Sequence, residues 1–141
     1  KDAGLVHYEV SNFALPGHEA LHNSSYWNGT PYVGVGAGAH SYIGCVRSWN
    51  PDDLDAYIQG IADSTLVRES ETLSDEDRYN EQVMLGLRTN RGIPATLPTH
   101  KRLVLDSFVQ KGLLRETEEK RIVATQKGLH VLNRIIEDLM I

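Results

Sequence analysis

A single cysteine, Cys45, stands in 141 residues, and that scarcity closes off a good deal of chemistry. It excludes an intrachain disulfide framework and any metal centre built wholly from cysteines of this chain. Long hydrophobic runs are missing as well: none approaches the ~20 residues that a membrane-spanning helix needs. Positive charge is not in excess either. The formal net charge is −5, which works against bulk attraction to nucleic acid or to an acidic membrane. What is present is ordinary globular composition, 40% hydrophobic and 23% charged, which argues against disorder. The length suits one compact domain or two small ones.

The charge is lopsided. Residues 1–73 carry three basic and nine acidic side chains, whereas residues 74–141 carry eleven basic and ten acidic. Most of the glycines and both tryptophans fall in the first part. The second reads as helices rich in Leu, Val and Ile. We therefore expect two domains, 1–73 and 74–141. The chain opens on Lys1-Asp2 without an initiator Met and runs at once into the strand-like Leu5-Val6-His7-Tyr8-Glu9-Val10, so we expect a piece of a longer protein.

Residues 5–11 read as a strand. Residues 14–30 hold Pro16-Gly17 and Asn28-Gly29 and read as loop with at most one helical turn. Residues 31–39 read as a short strand ending in Gly34-Val35-Gly36-Ala37-Gly38-Ala39, and 42–49 as extended with a bend at Gly44. Asn50-Pro51 suits the start of a helix whose apolar face is Leu54, Tyr57, Ile58 and Ile61. Ser74-Asp75-Glu76-Asp77 opens the next helix, with Ser74 as cap and acids in the first turn. A further helix over about 99–111 turns Val104, Leu105, Phe108 and Val109 inward. A hairpin, 113–116 with 121–124, follows. Thr125 caps a last helix with Leu129, Leu132, Ile136 and Leu139 inward. Helix, helix, hairpin, helix is the order of a winged-helix-like module.

Four features carry potential chemistry. The segment Gly34–His40 leaves backbone amides unshielded, so a ligand can approach closely; the competing reading is a tight turn with close strand packing. The string His22-Asn23-Ser24-Ser25-Tyr26-Trp27 pairs an imidazole with two rings able to flank a flat ligand; the alternative is a loop folded back on the core. Glu9 sits in an apolar strand, where a carboxylate is costly unless paired or facing a pocket; otherwise it faces outward on an edge strand. The basic residues Lys101, Arg102, Lys111, Arg115, Lys120 and Arg121 are interleaved with Asp106, Glu116, Glu118 and Glu119. That is a solvated mixed-charge surface rather than a nucleic-acid face.

Tyr8-Glu9-Val10-Ser11-Asn12-Phe13-Ala14, then Pro16-Gly17-His18-Glu19, then His22–Trp27, then Gly34–Tyr42, resemble in order and spacing the HemW branch of the radical SAM enzymes related to oxygen-independent coproporphyrinogen III oxidase. The resemblance continues through Met84-Leu85-Gly86-Leu87-Arg88, Gly112-Leu113-Leu114 and Thr125-Gln126-Lys127-Gly128. It implies an α/β fold: the last strands of a partial (β/α) radical SAM barrel, followed by a mostly α, winged-helix-like C-terminal domain. It implies haem as the bound group, with His22 nearest the iron, Asn23 beside it, and Tyr26 and Trp27 against the ring. Gly36, Ala37, Gly38 and His40 are the positions it turns toward S-adenosylmethionine. That cofactor and a [4Fe–4S] cluster belong, on this reading, to the longer parent only. The implied partner is a haem-receiving protein in the cytoplasm, with peripheral membrane contact of the parent and no nucleic acid. Open barrel edges lead us to expect self-association. A coproporphyrinogen III oxidase fragment and a non-catalytic winged-helix module are the alternatives.

The family's cluster needs three cysteines in a CxxxCxxC motif, and Cys45 is alone. Anaerobic reconstitution with iron and sulfide is therefore expected to leave the chain without a [4Fe–4S] cluster; stoichiometric iron and cluster absorbance would contradict this.

Overall fold

In the structure, a computed structural model that describes residues 3–27 and 29–141, every strand pairing among the described residues is antiparallel. Lys1, Asp2 and Asn28, and with Asn28 half of the expected Asn28-Gly29 turn, lie outside the described residues. The chain divides into two compact units, one of Lys1–Gly29 with Tyr79–Ile141, the other of Thr30–Arg78. This line differs from the expected 73/74 boundary, and hydrogen bonds in the first unit explain why. Strand β1 (Val6–Glu9) pairs with β2 (Asn12–Ala14). The tip of that hairpin bonds to residues far along the chain: Val10 N–H donates to Arg88 O at 2.9 Å, and Asn90 N–H to Tyr8 O at 3.0 Å. Charge composition carries no trace of such pairings.

The first unit holds the apolar core. Helix α1 (Leu21–Trp27) buries none of its residues. Helix α3 (Asp75–Gly86) contributes Val83, and Leu87 follows. Ser74 caps α3 as expected: its Oγ accepts from Asp77 N–H at 3.1 Å while the Asp77 carboxylate accepts from Ser74 N–H at 3.0 Å, a reciprocal box. The Ser74 hydroxyl and amide hold the Asp77 carboxyl below its ordinary range. A depressed carboxylate stabilises above its unfolded pKa, so this cap weakens as acid protonates Asp77. Strand β6 (Ile93–Pro94), a 3₁₀ turn at Thr99–Lys101 and helix α4 (Arg102–Gln110) come next. Leu105 and Phe108 are buried as expected, but Val109 is exposed, because the core-facing stripe of α4 is narrower than its apolar run.

Strands β7 (Leu114–Glu116) and β8 (Arg121–Ala124) form the expected hairpin, and β6 adds to the far side of β8, giving the order β6-β8-β7. Thr125 caps a helix, but only α5 (Gln126–Leu129); the chain breaks at His130-Val131 before α6 (Leu132–Leu139). Leu132, Ile135, Ile136 and Leu139 complete the core with Ile93, Leu114 and Ile122. The buried Tyr79 hydroxyl donates to Leu139 O at 2.8 Å, and burial pushes its phenol pKa up.

The second unit is a meander. Strands β3 (His40–Ile43), β4 (Val46–Trp49) and β5 (Glu69–Thr72) lie in that order. The Gly44 bend is the β3–β4 turn. The strand expected over 31–39 is not formed; Tyr32 makes one bridge, to Tyr42, and the glycines beyond it turn the chain. Nor does Asn50 cap the following helix: α2 (Leu54–Ala62) starts three residues later, with Asp53 Oδ1 accepting from Ala56 N–H at 2.7 Å. Three of the four residues of the expected apolar face point outward. Leu54, Ile58 and Ile61 are 62%, 56% and 54% exposed, and the inner side is made by Tyr57 and Gly60. A Cβ on Gly60 would meet Leu66 at 3.0 Å, so the glycine admits the returning chain.

Gly128 closes the first unit in a similar way. A Cβ there would stand 2.0 Å from Leu113 O, which is backbone and cannot swing aside. Gly128→Ala is expected to cost about 1–3 kcal/mol as an overpacking change. Urea unfolding would show it as a lower midpoint at unchanged slope, and an unaltered midpoint would contradict the account.

Candidate functional site

The His22–Trp27 string forms a regular helix rather than the expected loop. Ser24 N–H donates to Ala20 O at 2.9 Å, and the Ser25 hydroxyl donates to His22 O at 2.6 Å. Helical pitch brings residues four apart onto one face. His22 Nε2 and the Tyr26 hydroxyl are thus 3.1 Å apart, with the rings edge to face at 5.1 Å and 81°. His22, Asn23 and Tyr26 are exposed, Trp27 is half-buried, and Leu21 at the head of the helix is 85% exposed. The arrangement offers one imidazole beside aromatic surface, open to solvent. It can present a single nitrogen ligand to a metal carried in by a flat molecule. It cannot build a multidentate metal centre: among the described residues no group of three or more His, Cys, Asp or Glu is so placed.

The glycine-rich segment lies in the second unit, and four of its amides are engaged within the chain. Gly34 N–H donates to Ser41 Oγ at 3.0 Å, Gly36 N–H to the Tyr57 hydroxyl at 3.1 Å, Gly38 N–H to Pro51 O at 2.7 Å and Ala39 N–H to Gly36 O at 3.3 Å. These bonds fold the segment into a tight turn. Gly34 is needed for it: a Cβ would fall 2.1 Å from His40 O. Gly36, Ala37 and Gly38 are half-buried in the turn. His40 is exposed, its ring 5.8 Å from Trp49, whose indole N–H donates to Glu69 at 3.1 Å.

Asn50 organises this turn, and sequence reasoning missed it by taking it for a helix cap. It is 2% exposed. Its Nδ2 donates to Gly36 O at 2.8 Å, its Oδ1 accepts from Arg68 Nε at 2.8 Å, and its amide donates to Ala39 O at 3.0 Å. Asn before Pro signals a cap or turn in one dimension; bonds reaching 14 and 18 residues away leave no local mark. Glu9 was the other open question. It is buried at 5%, with its carboxylate accepting from Asn12 Nδ2, so it is a paired buried group rather than an outward edge residue. Cys45 is exposed and alone, and the chain's residues do not fit a [4Fe–4S] cluster.

Comparison with known proteins places this architecture. Residues 73–131 match the family model of the HemN C-terminal domain. The fold matches the solved coproporphyrinogen III oxidase HemN of Escherichia coli, described as a radical SAM enzyme, with a TM-score of 0.65 at 20% identity over 99% of this chain and 38% of that one. The heme chaperone HemW of Mycobacterium tuberculosis is 36% identical over 140 residues, 98% of this chain and 36% of that protein. HemW of Bacillus subtilis is 33% identical over 94% of this chain and 37% of its own length. The mixed α/β fold is thus one shared with a HemN-type radical SAM protein. The sequence matches are to HemW-like proteins over nearly the whole of this chain, which spans little more than a third of the length of the HemW relatives it matches. Among the described residues no helix is long and apolar enough to cross a membrane.

If Asn50 holds the glycine turn, Asn50→Ala removes the shorter of the two hydrogen bonds to Gly36 O and the Oδ1 acceptor of Arg68 Nε, at a cost of about 1–3 kcal/mol. The amides of Gly36 and Gly38 are expected to exchange hydrogen faster in the variant. Unchanged protection at both would show that the turn is held by other means.

Proposed function

We propose that the chain is part of a haem chaperone, binding haem at the exposed face of α1 and delivering it to a recipient protein. The observation that carries the reading is the His22–Tyr26 pair: an exposed imidazole and an exposed aromatic ring at helical spacing, in a chain whose relatives are named heme chaperones. Haem is cargo here. His22 supplies a nitrogen to the iron, Tyr26 and Trp27 supply ring surface, and Asn23 a polar side chain at the same face. Exposure leaves the imidazole within reach of an incoming and departing cargo.

On the same reading, the chain corresponds to the end of a partial barrel followed by a winged-helix-like domain over 74–141, in a cytoplasmic protein whose remaining length carries the cluster and S-adenosylmethionine. Gly36, Ala37, Gly38 and His40 would meet that cofactor largely through Cα and side-chain surface, because the amides of the two glycines and the carbonyl of Gly36 are already engaged. The cofactor would supply radical chemistry when bound; these residues would only shape its seat. The likeness to the oxidase is one of fold, and the closer sequence relatives named above are chaperones.

Haem titration at the Soret band tests the proposal. His22→Ala is expected to weaken binding on the order of 100-fold, the scale on which even outer partners of a metal ligand act. The far-UV circular dichroism should change by no more than the seven residues of α1 contribute, because His22 packs in no core. Equal affinity of the two proteins would remove His22 from the site.

A further inference from the structure

We propose that Tyr26 is a latch on His22, its hydroxyl occupying imidazole Nε2 so that an incoming iron must displace it. The inference deepens the haem reading and rests on it for the identity of the iron's carrier. Nε2 lies 3.1 Å from the Tyr26 oxygen. If the hydroxyl donates, the Nε2 lone pair is already used and the proton sits on Nδ1. If Nε2–H donates, that nitrogen bears the proton and has no lone pair to give. Both tautomers deny Nε2 to a metal while the bond lasts. The remaining nitrogen, Nδ1, is flanked by the residue's own Cβ and backbone, a crowded approach for a ring as wide as a porphyrin.

Loading is then an exchange of partners at one atom. The Tyr26 O–H···Nε2 contact breaks, the hydroxyl turns to water, the Nε2 lone pair binds iron, and the proton stays on Nδ1. Release runs the same steps backward, with the hydroxyl ready four residues away to recapture the nitrogen. The geometry depends on helical backbone through α1, since only that pitch stacks positions four apart. The edge-to-face contact of the rings, at 81°, holds the imidazole in place for the exchange. Tyr26 is therefore a positioning residue as well as ring surface. Its hydroxyl lowers haem affinity, as a carrier that must unload requires.

Tyr26→Phe keeps the ring and removes the hydroxyl. A net hydrogen bond of ordinary strength corresponds to an apparent haem affinity about twofold to tenfold tighter in the variant. Affinity that is unchanged or weaker would overturn the latch. A second readout needs no haem: long-range ¹H–¹⁵N spectra of the His22 imidazole in the haem-free chain. The tautomer balance is expected to shift in Tyr26→Phe, and identical imidazole ¹⁵N shifts would also overturn the latch. Should His22→Ala bind haem as the parent does, the haem reading falls by itself, and the imidazole spectra still decide whether Tyr26 occupies Nε2.

Discussion

The buried carboxamide of Asn50 is the contact on which the Thr30–Arg78 unit turns. Leu73 is its one apolar side chain in the buried core among the described residues, so side-chain burial does little to hold it together. Instead a three-stranded antiparallel ladder carries the backbone, and Asn50 joins the ladder to the glycine turn on one side and to Arg68 on the other. A buried amide of this kind is costly when unpaired and specifying when satisfied. Here both ends are satisfied, and no described buried side-chain nitrogen or oxygen lacks a partner.

The other unit is built on the opposite principle. Val83, Leu87, Ile135 and Leu139 are wholly removed from water, and helices and hairpin close round them. Polar contacts there serve termini: the Thr125 hydroxyl accepting from Gly128 N–H, the Tyr79 hydroxyl on the last turn of α6. The difference follows the sequence. Leu, Val and Ile recur at helical spacing after residue 79, whereas the earlier stretch spends its length on glycine, acids and short strands.

That contrast also sets what was legible. Caps, turns and periodic helices are local, so Ser74, Thr125, the 114–124 hairpin and the inward faces of α4 and α6 could be read from neighbours in the chain. Long-range partners could not. The hairpin tip at Val10 bonds beside Arg88, and β5 forms from Glu69–Thr72, a stretch without apolar alternation, because Arg47 and Trp49 find Glu71 and Glu69 across the ladder. Apolar spacing also misled at α2, where Leu54, Ile58 and Ile61 repeat as a core face would but face outward. Periodicity reports that a face is apolar; it does not report which side has a neighbour.

Two exposed apolar surfaces therefore have to be told apart, and their chemistry does so. On α2 the exposed residues are aliphatic and the polar neighbours are acids such as Asp55 and Asp63. Such a surface can be covered, but it holds no group that selects a small ligand. On α1 the exposed Leu21 and Tyr26 stand with an imidazole whose partner is fixed by helical pitch. None of the residues of this seven-residue helix is fully buried, and a helix of two turns is marginal without tertiary support. Its side-chain contacts, Ser25 to His22 and His22 to Tyr26, thus help to hold the helix that positions them. A short element stabilised by its own recognition residues can change conformation as those residues change partners. That property suits the proposed role of a surface that takes up a ligand and gives it away.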